Sequence, residues 1–166
     1  MFMLRKVILA EPELCTGCKQ CEMVCSFAHE GAYSPALSRI RLVKFEDKCL
    51  SVPVTCAYCE RPVCEEVCPT GAMTTDPQKG KARVVEAKCI GCKECVSACP
   101  IGAVEIHPEK GVAFRCDLCE GDPACVKACP TGALKYVPIS HAARDRRRSK
   151  VLGWSLMLLD PERRGA

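Results

Sequence analysis

Sixteen of the 17 cysteines in this 166-residue chain fall into four tetrads. They are Cys15, Cys18, Cys21 and Cys25; Cys56, Cys59, Cys64 and Cys68; Cys89, Cys92, Cys95 and Cys99; and Cys116, Cys119, Cys125 and Cys129. The first and third follow C-x2-C-x2-C-x3-C, and the second and fourth lengthen the middle gap to four and five residues. Cys68, Cys99 and Cys129 each precede a proline. In this spacing three thiolates hold one 4Fe–4S cube and the fourth reaches a neighbouring cube. Four tetrads therefore imply four 4Fe–4S clusters in two pairs, a path for single electrons.

Other chemistries of cysteine are weaker. An odd count and the lack of a visible secretory signal disfavour disulfides. Arg5 and Lys6 precede an apolar run, but Val7 to Ala10 is too short for a signal. Paired C-x2-C elements also make zinc sites. Zinc sites rarely pack four cysteines into eleven residues and repeat C-P-x-G-A after them. A thiol-rich chain without a signal is expected in the reducing cytoplasm. No nucleotide loop, flavin fingerprint or catalytic triad is present. The expected role is that of an electron carrier, not an enzyme, with no catalytic residues.

The elements that must position these thiols come from an internal repeat. Three copies read Cys68-Pro69-Thr70-Gly71-Ala72-Met73, Cys99-Pro100-Ile101-Gly102-Ala103-Val104 and Cys129-Pro130-Thr131-Gly132-Ala133-Leu134. The first tetrad departs, since Cys25 runs on into Ser26-Phe27-Ala28-His29. Cys95 and Cys99 stand at i and i+4, on one face of a short helix that Pro100 ends. Strands are expected at Lys6–Ala10, Ala82–Val85 and Val104–His107. Arg39-Ile40-Arg41-Leu42-Val43 alternates as a half-buried strand would. The fold class is α+β: two interleaved bacterial-ferredoxin-like dicluster modules with a C-terminal helical tail. Aromatic residues are only 5% of the chain. A core this poor needs a metal staple, so folding should be coupled to cluster insertion.

Pairing follows from spacing. Twenty residues separate Cys68 from Cys89, room for one hairpin between two cluster loops, while thirty separate Cys25 from Cys56. Pairing the second tetrad with the third leaves the first to the fourth. The ligand sets are then Cys56, Cys59, Cys64 and Cys99; Cys89, Cys92, Cys95 and Cys68; Cys15, Cys18, Cys21 and Cys129; and Cys116, Cys119, Cys125 and Cys25. Sequential pairing, first with second and third with fourth, is the alternative. The nested scheme makes residues 52–111 an inner module, 1–51 with 112–138 an outer module, and 139–166 a tail.

These motifs resemble the four-cluster iron–sulfur subunits that serve molybdenum and tungsten oxidoreductases, hydrogenases and carbon monoxide dehydrogenases. The resemblance covers residues 5–137 and implies nested pairing. Cys25-Ser26-Phe27-Ala28-His29-Glu30-Gly31, with Ser34-Pro35-Ala36-Leu37-Ser38-Arg39-Ile40, resembles the small subunits of tungsten aldehyde oxidoreductases. The implied role is to relay single electrons between a large catalytic subunit, a tungsten or molybdenum pterin enzyme, and an acceptor or further subunit. A hydrogenase, formate or carbon monoxide dehydrogenase partner is an alternative. A free-standing polyferredoxin and a self-associating cluster filament stay open.

Charge adds detail. Residues 1–138 carry 17 basic and 17 acidic side chains, so the formal +4 lies wholly in the tail. Each oxidised cluster adds roughly −2, four of them about −8. Lys19, Lys93, Glu60, Glu120 and Asp117 lie beside tetrad cysteines and are expected to be solvated loop charges. Gly17 and Gly91 let the backbone approach a cluster or simply form a tight turn. His29 is expected to organise the loop after Cys25, and Cys49 to be a spare buried thiol. His107 and His141 carry no supporting motif. In the tail, residues 141–159 are expected to form an amphipathic helix on Val151, Leu152, Leu156 and Leu159, packed on its own core or docked on a partner. Its apolar stretch is far short of the roughly 20 residues that span a bilayer. Nucleic-acid binding by its arginines is disfavoured by the acidic cluster body.

Overall fold

Proline and glycine punctuate this chain so often that, among the described residues, no strand exceeds five residues. A computed structural model describes residues 6–76 and 82–139. The expected tail helix and His141 lie outside the described residues.

Four helices carry the tetrads. They are α1 (Gln20–Glu30), α2 (Val63–Glu66), α3 (Glu94–Ala98) and α4 (Ala124–Lys127). Eight strands alternate with them: β1 (Lys6–Ala10), β2 (Arg41–Phe45), β3 (Leu50–Val54), β4 (Met73–Thr75), β5 (Ala82–Val84), β6 (Val104–Ile106), β7 (Ala113–Arg115) and β8 (Leu134–Pro138). All pair antiparallel and two by two: β1 with β8, β2 with β3, β4 with β5, β6 with β7. Val7 faces Val137 in the first pair, and Met73 faces Val84 in the third. The result is the mixed helix-and-strand architecture that the repeat implies.

The long-range pair is β1 with β8, which joins the segment before the first tetrad to the segment after the fourth. Helix α1 packs on α4, and α2 on α3. Two separate cores result. One gathers Val7, Ile8, Ile40, Tyr58, Leu118 and Leu134 with the thiols of Cys21, Cys25, Cys116 and Cys125. The other buries Met73, Val104 and Ala113 around Cys95, with Val67, Val84, Val96 and Ile106 partly buried against it. A two-stranded hairpin is marginal alone in water, and these cores are small. Between them run ion pairs. Arg41 on β2 forks onto Glu105 on β6. Lys110, in the turn after β6, donates to Glu30 at the end of α1 at 3.0 Å. The β6–β7 and β2–β3 hairpins span the module boundaries expected at 111/112 and 51/52.

Two local expectations shift. The alternating stretch becomes a strand two residues later, at Arg41–Phe45, because Ser38 folds its hydroxyl onto the Ile40 carbonyl at 2.7 Å. Cys49 is exposed, not buried. It caps a single 3-10 turn, Glu46–Lys48, at the tip of the β2–β3 hairpin, with a left-handed φ of 47°. A hairpin tip points away from both cores, so nothing covers the thiol.

Gly17 and Gly91 each approach another segment of the chain. At Gly91 (φ +66°) a Cβ would stand 2.5 Å from the Gly111 carbonyl oxygen. At Gly31 (φ +67°) a Cβ would meet nothing within 4 Å. Gly31→Ala is therefore expected to cost roughly 1–2 kcal/mol, from the left-handed backbone alone. Gly91→Ala should cost roughly 2–4 kcal/mol, because a backbone atom must also give way. Midpoints of anaerobic thermal unfolding measure both, and equal shifts would remove the carbonyl from the account.

Candidate metal centre

Each tetrad is delivered by the same local devices. A 3-10 turn precedes Cys15 (Pro12–Leu14) and another precedes Cys89 (Glu86–Lys88); each closes with a 3.0 Å bond from the cysteine N–H. The loop then turns into its helix through a left-handed lysine, Lys19 (φ 62°) or Lys93 (φ 67°). In the second and fourth tetrads, Pro62 and Pro123 start the helices that carry Cys64 and Cys125. Their longer middle gaps hold these extra residues. At the far end the C-P-x-G turn closes alike three times, with Gly71, Gly102 and Gly132 N–H groups bonding the Cys68, Cys99 and Cys129 carbonyls at 3.2–3.3 Å.

The C-P-x-G-A repeat also serves the sulfur. The Ala103 N–H donates to Cys99 Sγ at 3.3 Å. At Cys68 and Cys129 burial pushes the thiol up, but converging N–H groups outweigh it and both lie below the ordinary thiol range. For Cys129 these donors are Leu134, Thr131 and Ala133, with the Thr131 hydroxyl. Thiolate accepts such bonds better than thiol, so the turn favours the ligand form.

The thiols converge across tetrads. Cys15, Cys18 and Cys21 line one cavity together with Cys129, Leu42, Pro53 and Leu134. Cys89, Cys92 and Cys95 line another with Cys68, Met73, Val84 and Ile106. Cys64 lies within electrostatic reach of Cys99 and Cys59, and Cys56 within reach of Cys64 and Cys59. Cys125 feels Cys116, Cys25, Cys119 and Cys21. Two cavities thus each join three cysteines of one tetrad to the last cysteine of another, the first tetrad with the fourth and the third with the second. Electrostatic influence also runs from Cys21 to Cys125, from Cys56 to Cys116 and from Cys64 to Cys95.

Bare thiolates fit these places poorly. Burial drives the Cys21 thiol up to about 12, and Cys15 and Cys18 push the same way. Burial likewise drives Cys56 and Cys95 up to about 11, with adjacent thiolates adding to it. Cys116 and Cys125 are raised for the same reasons. A group that brings positive iron to the thiolates removes both penalties. The donor sets therefore suit an iron–sulfur cube.

Some of the flanking charges behave as the sequence suggests and others do not. Lys19, Lys93, Glu60 and Glu120 are exposed. Asp117 is half-buried and sits at the centre of a network. Its Oδ1 accepts from His29 Nε2 and from the Cys119 N–H, both at 3.0 Å, and its Oδ2 accepts from Arg39 Nη1 at 2.6 Å. His29 Nδ1 donates to the Cys25 carbonyl at 2.8 Å. Both ring nitrogens donate, so the ring is imidazolium; Asp117, then Cys119 and Cys25, raise it to about 12. Burial raises Asp117, but His29 and Arg39 overcome this and hold it at about 2. The missing proline after Cys25 makes this possible, since α1 runs on for a turn and brings His29 to i+4. The His29 ring thus does more than shape a loop. His107 is buried and accepts from the Glu109 and Lys110 N–H groups at 3.2 Å, so its role is to hold the β6–β7 turn.

Sequence reasoning passes over Arg39, Tyr58 and Arg115. The buried Tyr58 hydroxyl donates to the Cys116 carbonyl at 2.6 Å, linking the second tetrad to the fourth. Arg115 Nη1 donates to Cys64 Sγ at 3.1 Å. Strand alternation carries the signal for Arg115, because it must face opposite to Cys116. Asp117→Ala would leave His29 and Arg39 facing each other without their anion. It is expected to cost roughly 1–3 kcal/mol, discounted for its partial exposure. Anaerobic melts should show this loss, with Asp117→Asn keeping part of the hydrogen bonding; unchanged midpoints would demote the network to surface charge.

Known proteins carry the same pattern. The 4Fe-4S dicluster domain family matches residues 48–138, and the 4Fe-4S binding domain matches residues 12–28. The aliphatic sulfonate oxidoreductase polyferredoxin-like subunit of Pyrococcus furiosus is 43% identical over 116 residues, covering 70% of this chain and 66% of that one. The thiosulfate reductase electron transfer subunit PhsB of Salmonella typhi is 36% identical over 119 residues, 68% of this chain and 62% of that one. The electron transport protein HydN of Escherichia coli K12 is 35% identical over 100 residues, 56% of this chain and 55% of that one. The chain thus spans between about half and two thirds of the length of these relatives. Among the described residues no helix is long and apolar enough to cross a membrane. With more than half its length inside the matched domain, the chain belongs to the 4Fe-4S dicluster family and is a 4Fe–4S protein.

Proposed function

We propose that this chain is an electron-transfer subunit carrying four 4Fe–4S clusters in a row. When bound, each cube takes up and releases one electron. The protein's part is to hold the sixteen thiolates, to aim N–H groups at their sulfurs, and to keep water from the middle of the row. The observation that carries this reading is the pair of cavities in which three cysteines of one tetrad meet the last cysteine of another. The ligand sets are those given above, beginning with Cys15, Cys18, Cys21 and Cys129 at one end and ending with Cys89, Cys92, Cys95 and Cys68 at the other. The outer and inner modules are the two pairs of sets.

The partner is a large catalytic subunit that performs the bond chemistry. The printed roles of two relatives, in a sulfonate oxidoreductase and a thiosulfate reductase, support a place within such a complex. The stretch Cys25 to Ile40 supports a tungsten aldehyde oxidoreductase as that partner, and a thiol-rich chain supports a cytoplasmic site of action. The sharpest test of this partner is the large chain recovered with the protein under anaerobic conditions.

Metal analysis tests the cluster number. The full chain is expected to hold about 16 iron and about 16 sulfide. Stoichiometric zinc, or iron for only two cubes, would overturn the reading. Cys99→Ala tests the crossing: it should perturb the cluster of Cys56, Cys59 and Cys64 and spare the one held by Cys89, Cys92 and Cys95. Paramagnetic resonance separates the two, and loss of the latter cluster instead would support sequential ligation.

A further inference from the structure

Arg115 places a permanent positive charge in the interior. Its side chain is only 3% exposed. Nη1 donates to Cys64 Sγ at 3.1 Å, and Nη2 to the Thr74 carbonyl at 2.7 Å, Glu65 Oε1 at 3.0 Å and Thr75 Oγ1 at 3.3 Å. Nε is buried with no hydrogen-bond partner. A buried guanidinium with an unused donor is costly unless an anion stands near it. Glu65 meets part of that need, but its carboxylate is 23% exposed and so is screened by water. The Cys56 and Cys64 thiolates supply the rest.

The surroundings of the other thiols differ. Cys89 accepts from the Ala113 backbone N–H at 3.3 Å, and Cys68 lies 3.7 Å from the Thr70 hydroxyl. Cys129 lies 3.8 Å from the Thr131 hydroxyl. Near Cys25 the cations His29 and Arg39 both pair with Asp117, and His29 Nδ1 lies 4.0 Å from Cys25 Sγ. Lys19 and Lys93, beside the end groups, are exposed. Only at Cys64, among the described residues, does an arginine side chain donate to a sulfur of a tetrad.

We propose that Arg115 tunes the cluster held by Cys56, Cys59, Cys64 and Cys99, raising its potential above that of the same cluster without the guanidinium. This rests on the four-cluster reading above. One-electron reduction adds one negative charge to that cluster. The electron comes from a neighbouring cluster, or from dithionite in a titration; no bond forms or breaks and no proton moves. A fixed cation hydrogen-bonded to a ligand sulfur favours the more negative, reduced state and raises the potential. Arg115 acts through Cys64 and is a tuning residue, not a ligand. The strand gives it this place: Cys116 faces its own group, and Arg115, one residue earlier, faces the neighbouring one.

The test is anaerobic redox potentiometry followed by paramagnetic resonance on the full chain, with iron and sulfide measured first. Arg115→Gln should lower one midpoint and leave the other three in place. The expected size is at least a tenfold change in the reduced-to-oxidised ratio, about 59 mV for one electron. The shifted signal should be the one that Cys99→Ala alters. Glu65→Gln removes the opposing carboxylate and should raise the same midpoint. Arg115→Lys keeps the charge without the fork and should fall between. If Arg115→Gln fails to load its cluster, Glu65→Gln decides: a rise upholds the proposal and no shift overturns it. Four loaded cubes with unmoved midpoints in both variants would leave Arg115 a packing residue. Iron short of four cubes in the unaltered chain would instead overturn the cluster reading itself.

Discussion

Sixteen thiols brought together in small apolar cores cannot all stay charged, and they cannot all stay protonated without leaving polar sulfur poorly paired. That conflict organises the molecule. Burial raises Cys21, Cys56, Cys95, Cys116 and Cys125 above the ordinary thiol range, and neighbouring thiolates raise them further. The last cysteine of a tetrad is treated in the opposite way. At Cys25, Cys68 and Cys129, donors outweigh burial and stabilise the thiolate. Thiols that resist ionisation thus stand with others that favour it, as Cys21 does with Cys129 and Cys95 with Cys68, and bound iron would meet the needs of both. The apolar contacts are few, since one core buries Met73, Val104 and Ala113 around Cys95, with Val67, Val84, Val96 and Ile106 partly buried against it.

The same constraint explains the interleaving. In the proposed pairing a tetrad that lends its last thiol to another group ties two helices together, and α1 packs on α4 and α2 on α3. The chain must then return to its start, and β8 does so by pairing with β1. Strands so short contribute little alone. They serve as hinges that fix how far apart successive tetrads lie. Ion pairs such as Arg41 with Glu105 join the two halves at the surface, where screening limits their worth.

Much of this was legible in the residues. The tetrads, their C-P-x-G-A turns and the i, i+4 placement in short helices follow from local rules that tertiary packing has little freedom to override. Strand β1 matches its expected span, and β5 and β6 each end one residue early. What could not be read were contacts between residues far apart in sequence. Asp117 lies 88 residues from His29, and Arg115 lies 51 from Cys64. Nothing in the local spacing of either pair announces the other. Cys49 misled because free cysteine is usually buried, whereas a hairpin tip has no interior to offer.

Exposure along the proposed row gives these contacts a functional order. The group of Cys116, Cys119, Cys125 and Cys25 has no exposed cysteine, whereas its neighbour, lined by buried Arg115, exposes Cys59. The two end groups expose Cys18 and Cys92. An electron is exchanged most readily with a partner where the cluster nears the surface, and is kept from stray acceptors where protein covers it. The proposed row is therefore best covered at the group of Cys116, Cys119, Cys125 and Cys25, and open to exchange at its two ends and beside Cys59. Tyr58 closes the join between the middle groups, its hydroxyl on the Cys116 carbonyl and its backbone between Cys56 and Cys59. The left-handed φ of 49° that it adopts is uncommon for an aromatic residue. Such strain is kept where the surroundings over-determine it, and here they fix the span across which the two modules must communicate.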